Sequence, residues 1–173
     1  MSGLLLYIRD RDERMLLYLV TRRPAPLVTL MRAVTHLGDA AVTIGLVLVM
    51  LLSGVADIVS AGWLAAFTLV SSHALVQLLK RTIARPRPEL PVGAALAVAP
   101  DQFSFPSGHS ASSLSVALGA GGLLGDPLAG AAIVVAAVVG LSRCYLGVHY
   151  PGDVVSGWVL ALTGFLLARL LGF

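Results

Sequence analysis

Three short segments, far apart in the chain, carry residue types suited to gripping and breaking a phosphate ester. They are Lys80-Arg81-Thr82-Ile83-Ala84-Arg85-Pro86-Arg87-Pro88, Pro106-Ser107-Gly108-His109, and Ser142-Arg143 followed by His149 and Asp153. His149 and Asp153 are four apart, and Pro151 between them is suited to starting a helix, so both fall on one face of its first turn. A carboxylate on one ring nitrogen fixes the tautomer and leaves the other nitrogen free to attack phosphorus. Arg143 can add a bidentate phosphate contact. The alternative for this segment is a structural His–Asp capping pair.

The other two segments supply anion binding. Lys80 closes an apolar run, and Arg85-Pro86-Arg87-Pro88 forces the chain out of helix, because proline also disfavours helical geometry in the residue before it. Cations are thereby gathered at one helix end, although Lys80 or Arg87 alone could equally be a membrane-boundary residue that snorkels. Pro106-Ser107-Gly108-His109 opens the next apolar run. Glycine allows close backbone approach, the unpaired amides of a helix N-terminus bind phosphate oxygens, and Ser107 can add a hydroxyl. The alternative is a serine/glycine cap beside an interfacial histidine. His73, mid-helix and without neighbouring cations, reads as a packed polar residue rather than a catalyst.

The elements that must position these groups are apolar. Of the 173 residues 57% are hydrophobic and only 12% charged, against about a quarter charged in soluble domains. Mean hydropathy is +0.89. Five runs, near Leu37–Ser53, Ile58–Leu79, Ser110–Gly125, Leu128–Leu141 and Val154–Phe173, approach the ~20 residues needed to cross a bilayer. Turns at Gly54–Asp57 and Gly125-Asp126-Pro127 would make antiparallel hairpins, bringing Lys80, Arg87, Ser107, His109, Arg143, His149 and Asp153 to one membrane face. Asp39 reads as the N-cap of the first run. The expected fold is an all-α polytopic bundle with a membrane domain over residues 37–173.

Residues 1–36 differ. They hold six arginines among leucines, with Pro24 and Pro26 at a corner, the pattern of amphipathic helices lying in the interface; a partly disordered basic tail is the alternative. Leu4–Ile8 is too short for the apolar core of a signal peptide. The formal charge of +3 suits anionic lipid better than nucleic acid, since no basic face is interleaved with aromatics. Cys144, the single cysteine, reads as a packing residue. The connection from Glu89 to Phe105 is long enough to roof a site or gate lipid entry.

The joint pattern, a lysine then six residues then Arg-Pro, Pro-Ser-Gly-His, and Ser-Arg then five residues, histidine, three residues and aspartate, resembles the type 2 phosphatidic acid phosphatase (lipid phosphate phosphatase) superfamily. The resemblance runs from about Thr35 to the C-terminus. It implies that His149 is a nucleophile forming a phosphohistidine, Asp153 its orienting partner and His109 the general acid. It also implies that Lys80, Arg87, Ser107, the Gly108 amide and Arg143 hold the phosphoryl oxygens, and that no metal or other cofactor is used. The expected partner is a lipid phosphate, either a phospholipid-type monoester or a polyprenyl phosphate or pyrophosphate. A transporter or binding protein for an anionic lipid is the rival from another class. Many family members have six spanning helices, one more than is found here. Eleven of the twelve lysines and arginines fall on the site's side, and the positive-inside rule then makes that side cytoplasmic.

Overall fold

The computed structural model describes residues 3–91, 94–97 and 101–173. Among these there are six α-helices and no strand beyond one bridge between Pro86 and Phe103. They are α1 (Gly3–Thr21), α2 (Ala25–Thr35), α3 (Ala40–Leu51), α4 (Ala56–Ile83), α5 (Gly108–Tyr145) and α6 (Pro151–Leu170), with a single 3₁₀ turn over His36–Gly38 between α2 and α3. Central α4 packs on α3, α5 and α6.

Three helices, α4, α5 and α6, are long and apolar enough to cross a membrane, and a fourth span exists if α2 and α3, bent by 50° at their break, count as one. The first expected run therefore starts later than Leu37: α3 begins at Ala40 because the chain is extended at Asp39. The third and fourth runs form a single 38-residue element, broken at Gly125, whose φ of 69° is non-helical, and next to Pro127 inside the helix. Ser113 and Ala136, 23 residues apart, are hydrogen-bonded across that element, which a straight helix at 1.5 Å per residue forbids. The element is doubled back on itself at the expected turn. Gly54, at a φ of 71°, makes the other expected turn.

Side chains facing outward along α3 to α6 are large and apolar, including Val49, Val70, Val134, Val159 and Leu170. A water-soluble domain does not leave such faces bare. Between helices the contacts are made by small residues, as packing within a bilayer favours. A Cβ on Gly119 would lie 2.4 Å from Ala65 Cα, and one on Gly157 would lie 2.5 Å from Ser107 O, so α5 touches α4 and α6 at backbone distance. Ser72 and Ser115 share a buried hydrogen bond of 2.9 Å across α4 and α5.

The basic arm is helical and docks on the core. Leu16 and Val20 of α1 are buried with Cys144, Tyr150 and Val154, which gives Cys144 its packing role. Arg23, after α1, donates to the carbonyls of Tyr145 (2.8 Å) and Ala94. The arm therefore sits at the end of the bundle where α4 finishes and α5 and α6 begin.

Candidate active site

Helix α4 ends where the sequence demands. Ala84 takes a left-handed conformation, φ 47° and ψ 39°, and its amide bonds back to Lys80 O, after which Arg85-Pro86 leaves the helix. Lys80 is buried, and its ammonium donates to both carboxylate oxygens of Asp101 (3.0 and 2.8 Å) and to Phe103 O. Arg87 donates from Nη2 to Asp101 Oδ1 (2.7 Å), from Nε to Asp101 O (2.8 Å) and from Nη1 to Val148 O (2.8 Å). Burial works to raise the Asp101 carboxyl, but Lys80 and Arg87 outweigh it and hold the group below its ordinary value. One carboxylate thus stands between the two cations.

Helix α6 starts at Pro151. Asp153 lies in its first turn, fully buried, with Oδ2 accepting from the Tyr150 amide at 2.9 Å. His149 Nδ1 faces the same oxygen at 3.6 Å, slightly beyond hydrogen-bond length, and has no other partner among the described residues. Its Nε2 lies 3.3 Å from Arg87 Nη1. A guanidinium can only donate, so Nε2 carries the lone pair and Nδ1 the proton. Burial pushes His149 down to about 4, with Arg87 and Arg143 adding to the effect and Asp153 opposing it. The ring is therefore neutral near pH 7.

Behind Asp153 stands a bridge that the sequence did not reveal. Arg85 Nη1 donates to Asp153 Oδ1 (2.9 Å) and to Asp12 Oδ2 (2.8 Å), and its guanidinium lies 3.9 Å from the centre of the Tyr150 ring. Asp12, buried on α1, also accepts from the Gly152 amide at 2.8 Å. The arm thereby joins the support of the His149 pair.

Helix α5 begins at Gly108 with Ser107 as N-cap, its Oγ accepting from the Ser110 amide and hydroxyl. Ser107 is fully buried and does not border the cavity described below. His109 Nε2 lies 2.8 Å from Asp39 Oδ1. Asp39 consequently does not cap α3: its side chain makes no cap bond, and the other oxygen lies 2.8 Å from His36 Nδ1. The capping expectation is corrected because two imidazoles compete successfully for the carboxylate.

Lys80, Arg87, Gly108, His109 and His149 border one cavity of ≈ 730 Å³, and Ile44, Leu69, Val70 and Val76 form its apolar flank between α3 and α4. His73, read as simply packed, is half-buried on that wall with Nε2 3.2 Å from Gln77 Nε2. Arg143 borders an adjoining cavity of ≈ 420 Å³ that shares His109 and Asp39 with the first. It is 2% exposed. Its Nη1 donates to Thr35 Oγ1 at 2.8 Å, while Nε and Nη2 are buried without a protein partner among the described residues. Buried guanidinium donors are costly to leave unpaired. Of the eight residues singled out from sequence, six border these two cavities, and Ser107 and Asp153 lie directly behind.

The expected roof, Glu89 to Phe105, includes residues 92–93 and 98–100, which lie outside the described residues. Not singled out as site residues were Asp12, Arg85 and Asp101. Arg85 stood within the first segment, and Asp101 is the only acid between Glu89 and Asp126; no spacing rule marks either one.

Several known proteins resemble this chain. The sequence profile described as the PAP2 superfamily matches residues 61–172. A decaprenylphosphoryl-5-phosphoribose phosphatase of Mycobacterium tuberculosis is 42% identical over 92 residues, 53% of this chain and 50% of that one, so the chain spans about half the length of this curated relative. Phosphatidylglycerophosphatase B of Bacillus subtilis is 31% identical over 94% of this chain and 83% of its own. Among solved structures, a transmembrane PAP2 type phosphatidylglycerolphosphate phosphatase from Bacillus subtilis superposes with a TM-score of 0.81 at 29% identity, covering 95% of this chain and 86% of that one.

Proposed function

Since the chain belongs to the PAP2 superfamily, we propose that it is a membrane-embedded phosphatase that hydrolyses a lipid phosphate through a phosphohistidine. The substrate is a phospholipid-type monoester or a polyprenyl phosphate or pyrophosphate. The observation that carries this is the cavity itself. At one end His149 Nε2 stands beside Arg87, with Lys80 and His109 on the same wall, and the flank between α3 and α4 is apolar. A phosphate headgroup fits the first part and a hydrocarbon chain the second.

In this mechanism the Nε2 lone pair of His149 attacks phosphorus, and Asp153 offsets the positive charge that develops on the ring. Lys80, Arg87, Arg143 and the Gly108 amide hold the phosphoryl oxygens, replacing water with fixed charges. The two unpaired donors of Arg143 support its share. His109 protonates the departing alcohol and then takes a proton from the attacking water. The reaction runs without metal in this scheme, and no three His, Cys, Asp or Glu side chains among the described residues group as a metal site.

The test is phosphate release from a panel of lipid phosphates by the purified protein in detergent, with and without EDTA. Turnover in chelator, blocked by vanadate, is expected. Binding of the lipids without release leaves a transporter or carrier and overturns the proposal; a requirement for one specific metal overturns its mechanism.

The site is further proposed to face the cytoplasm, with the basic arm lying along the inner interface. Support comes from the arm's contacts with the Ala94, Leu96 and Tyr145 carbonyls, which put Arg23 and Arg32 at the site's end, while Arg169 lies near the C-terminal end of α6, the charge asymmetry that the positive-inside rule reads. With buried Cys144 replaced, an impermeant thiol reagent on intact cells should label Gly54→Cys and spare Glu89→Cys. The opposite pattern reverses the orientation.

A further inference from the structure

The segment that contains α2 and α3 is interrupted at Asp39, where the two helices are bent by 50°. Gly38 lies against α5 so closely that a Cβ there would be 2.7 Å from Val139 Cγ1 and 3.1 Å from His109 Cβ. Ser112 Oγ donates to Gly38 O at 2.9 Å, and Thr43 Oγ1 donates to Asp39 O at 3.1 Å. Asp39 itself is extended, φ −63° and ψ 145°. The interruption, the glycine and the two hydroxyl clasps all act to set one carboxylate 2.8 Å from His109 Nε2. Irregular backbone at membrane depth is tolerated where it serves a cavity, and Asp39 borders both cavities.

We propose that Asp39 is the positioning residue that orients His109 and favours its protonated form, in which it acts as the general acid, with His36 fixing the carboxylate from the solvent side. The inference rests on the phosphatase reading above. His109 shares its cavities with Lys80, Arg87 and Arg143, and three cations repel an imidazolium. A carboxylate at hydrogen-bond distance supplies the opposing charge. Because Asp39 occupies Nε2, the proton delivered to substrate sits on Nδ1, which has no hydrogen-bond partner among the described residues.

The step balances as follows. The Nε2 electron pair of His149 forms the N–P bond, the P–O bond to the lipid alcohol breaks with its electron pair going to oxygen, and the Nδ1 proton of His109 passes to that oxygen. In the second step water returns a proton to Nδ1 while its oxygen bonds to phosphorus, and the N–P pair reverts to His149. Asp39 gives up and receives nothing; it holds the ring through both transfers.

The experiment exploits the leaving group. An alkyl alcohol needs a proton to depart, whereas an acidic phenol such as p-nitrophenol does not. Asp39→Asn should lower kcat on a lipid phosphate by about 10²-fold with KM little changed, while kcat on p-nitrophenyl phosphate falls by less than about tenfold. His109→Ala should show the same split, and the double variant should lose no more than His109→Ala alone, since residues acting as a unit are not additive. Asp39→Glu should restore part of the lipid activity. Vanadate binding by each variant shows that the site is still folded. Equal losses on both esters in a vanadate-binding Asp39→Asn protein, or no loss on either, overturn the assignment. If the wild-type protein turns over neither ester, the phosphatase reading itself fails, a result distinct from any pattern among the variants.

Discussion

The two histidine–aspartate pairs of this protein are built in opposite ways. His149 and Asp153 are buried where α6 begins, and their support runs through Arg85 to Asp12 on the docked helix α1. His109 and Asp39 sit nearer the surface, and their support runs outward to His36, whose side chain is 71% exposed. The ring polarity is reversed as well: Asp153 faces Nδ1 of its histidine, while Asp39 faces Nε2 of its own. The difference follows from the tasks proposed for them. A nucleophile must be neutral and aimed along one line, and burial secures both. An acid must carry a charge in a cationic cavity, which needs a partly hydrated carboxylate close by.

The largest effect expected from breaking this contrast is at His149. His149→Ala should abolish turnover of both a lipid phosphate and p-nitrophenyl phosphate, because a better leaving group cannot replace the attacking nitrogen. The His109 side should spare the aryl ester. Substantial activity on either substrate in a folded His149→Ala protein, judged by vanadate binding or melting temperature, erases the distinction. Asp153→Asn comes next. It should cost kcat up to about 10⁴-fold on both esters, since loss of the carboxylate leaves the tautomer unset. A loss confined to the lipid ester would mean that Asp153 serves the acid.

Asp12→Asn tests the support of the buried pair. It keeps an acceptor for the Gly152 amide but removes one of the two charges facing Arg85, which is then drawn onto Asp153 alone. A sub-ångström shift of Asp153 away from His149 is expected to lower kcat by roughly 10- to 100-fold with KM unchanged. His36→Gln, the matching change on the outer support, should cost no more than a few-fold, because an exposed pair is worth little. If the order is reversed, the arm's docking is incidental to the chemistry. Asp101→Asn is expected to act on binding alone: removing the carboxylate that competes for Lys80 and Arg87 should lower the inhibition constant for inorganic phosphate. A raised constant would show that Asp101 holds the cations in place rather than competing for them.

What the sequence displayed and what it concealed divide along the same line. Lys80, Arg87, Gly108, His109, Arg143 and His149 were legible because each stands at or near a helix end marked by proline, glycine or a change in hydropathy. Their juxtaposition followed from hairpin turns at Gly54 and Gly125. Asp12, Arg85 and Asp39 act through contacts that span 68 to 73 residues, and no local periodicity encodes such a partner. The break at Asp39 was hidden for a related reason. Leu37–Ser53 is apolar enough to sum to one span, and hydropathy does not register a bend. Asp39 looked like an N-cap because an aspartate before an apolar run usually is one; the close approach of Gly38 to α5 diverted it to His109.

The smallest expected effect is the most discriminating, because it concerns the position of a pH limb rather than its height. The groups facing His149 are Asp153 from α6, Arg87 from the connection after α4, and Arg143 from α5. Burial holds the ring down to about 4, Asp153 pulls its value up, and Arg87 and Arg143 push it further down. The neutral ring is the active form, so kcat/KM should hold as pH falls toward 4 and drop about tenfold per unit below it. Removing the raising partner, in Asp153→Asn, must shift this acid limb to lower pH. Removing a lowering partner, in Arg87→Gln, must shift it to higher pH. Asp39→Asn, which changes the other histidine, should leave it in place. A variant that merely loosens the fold lowers the whole profile without moving it, so opposite displacements in the first two variants would identify His149 as the titrating nucleophile. Displacement in one common direction, or an equal shift in Asp39→Asn, would show that the two pairs titrate as one unit and that the division of labour between them is wrong.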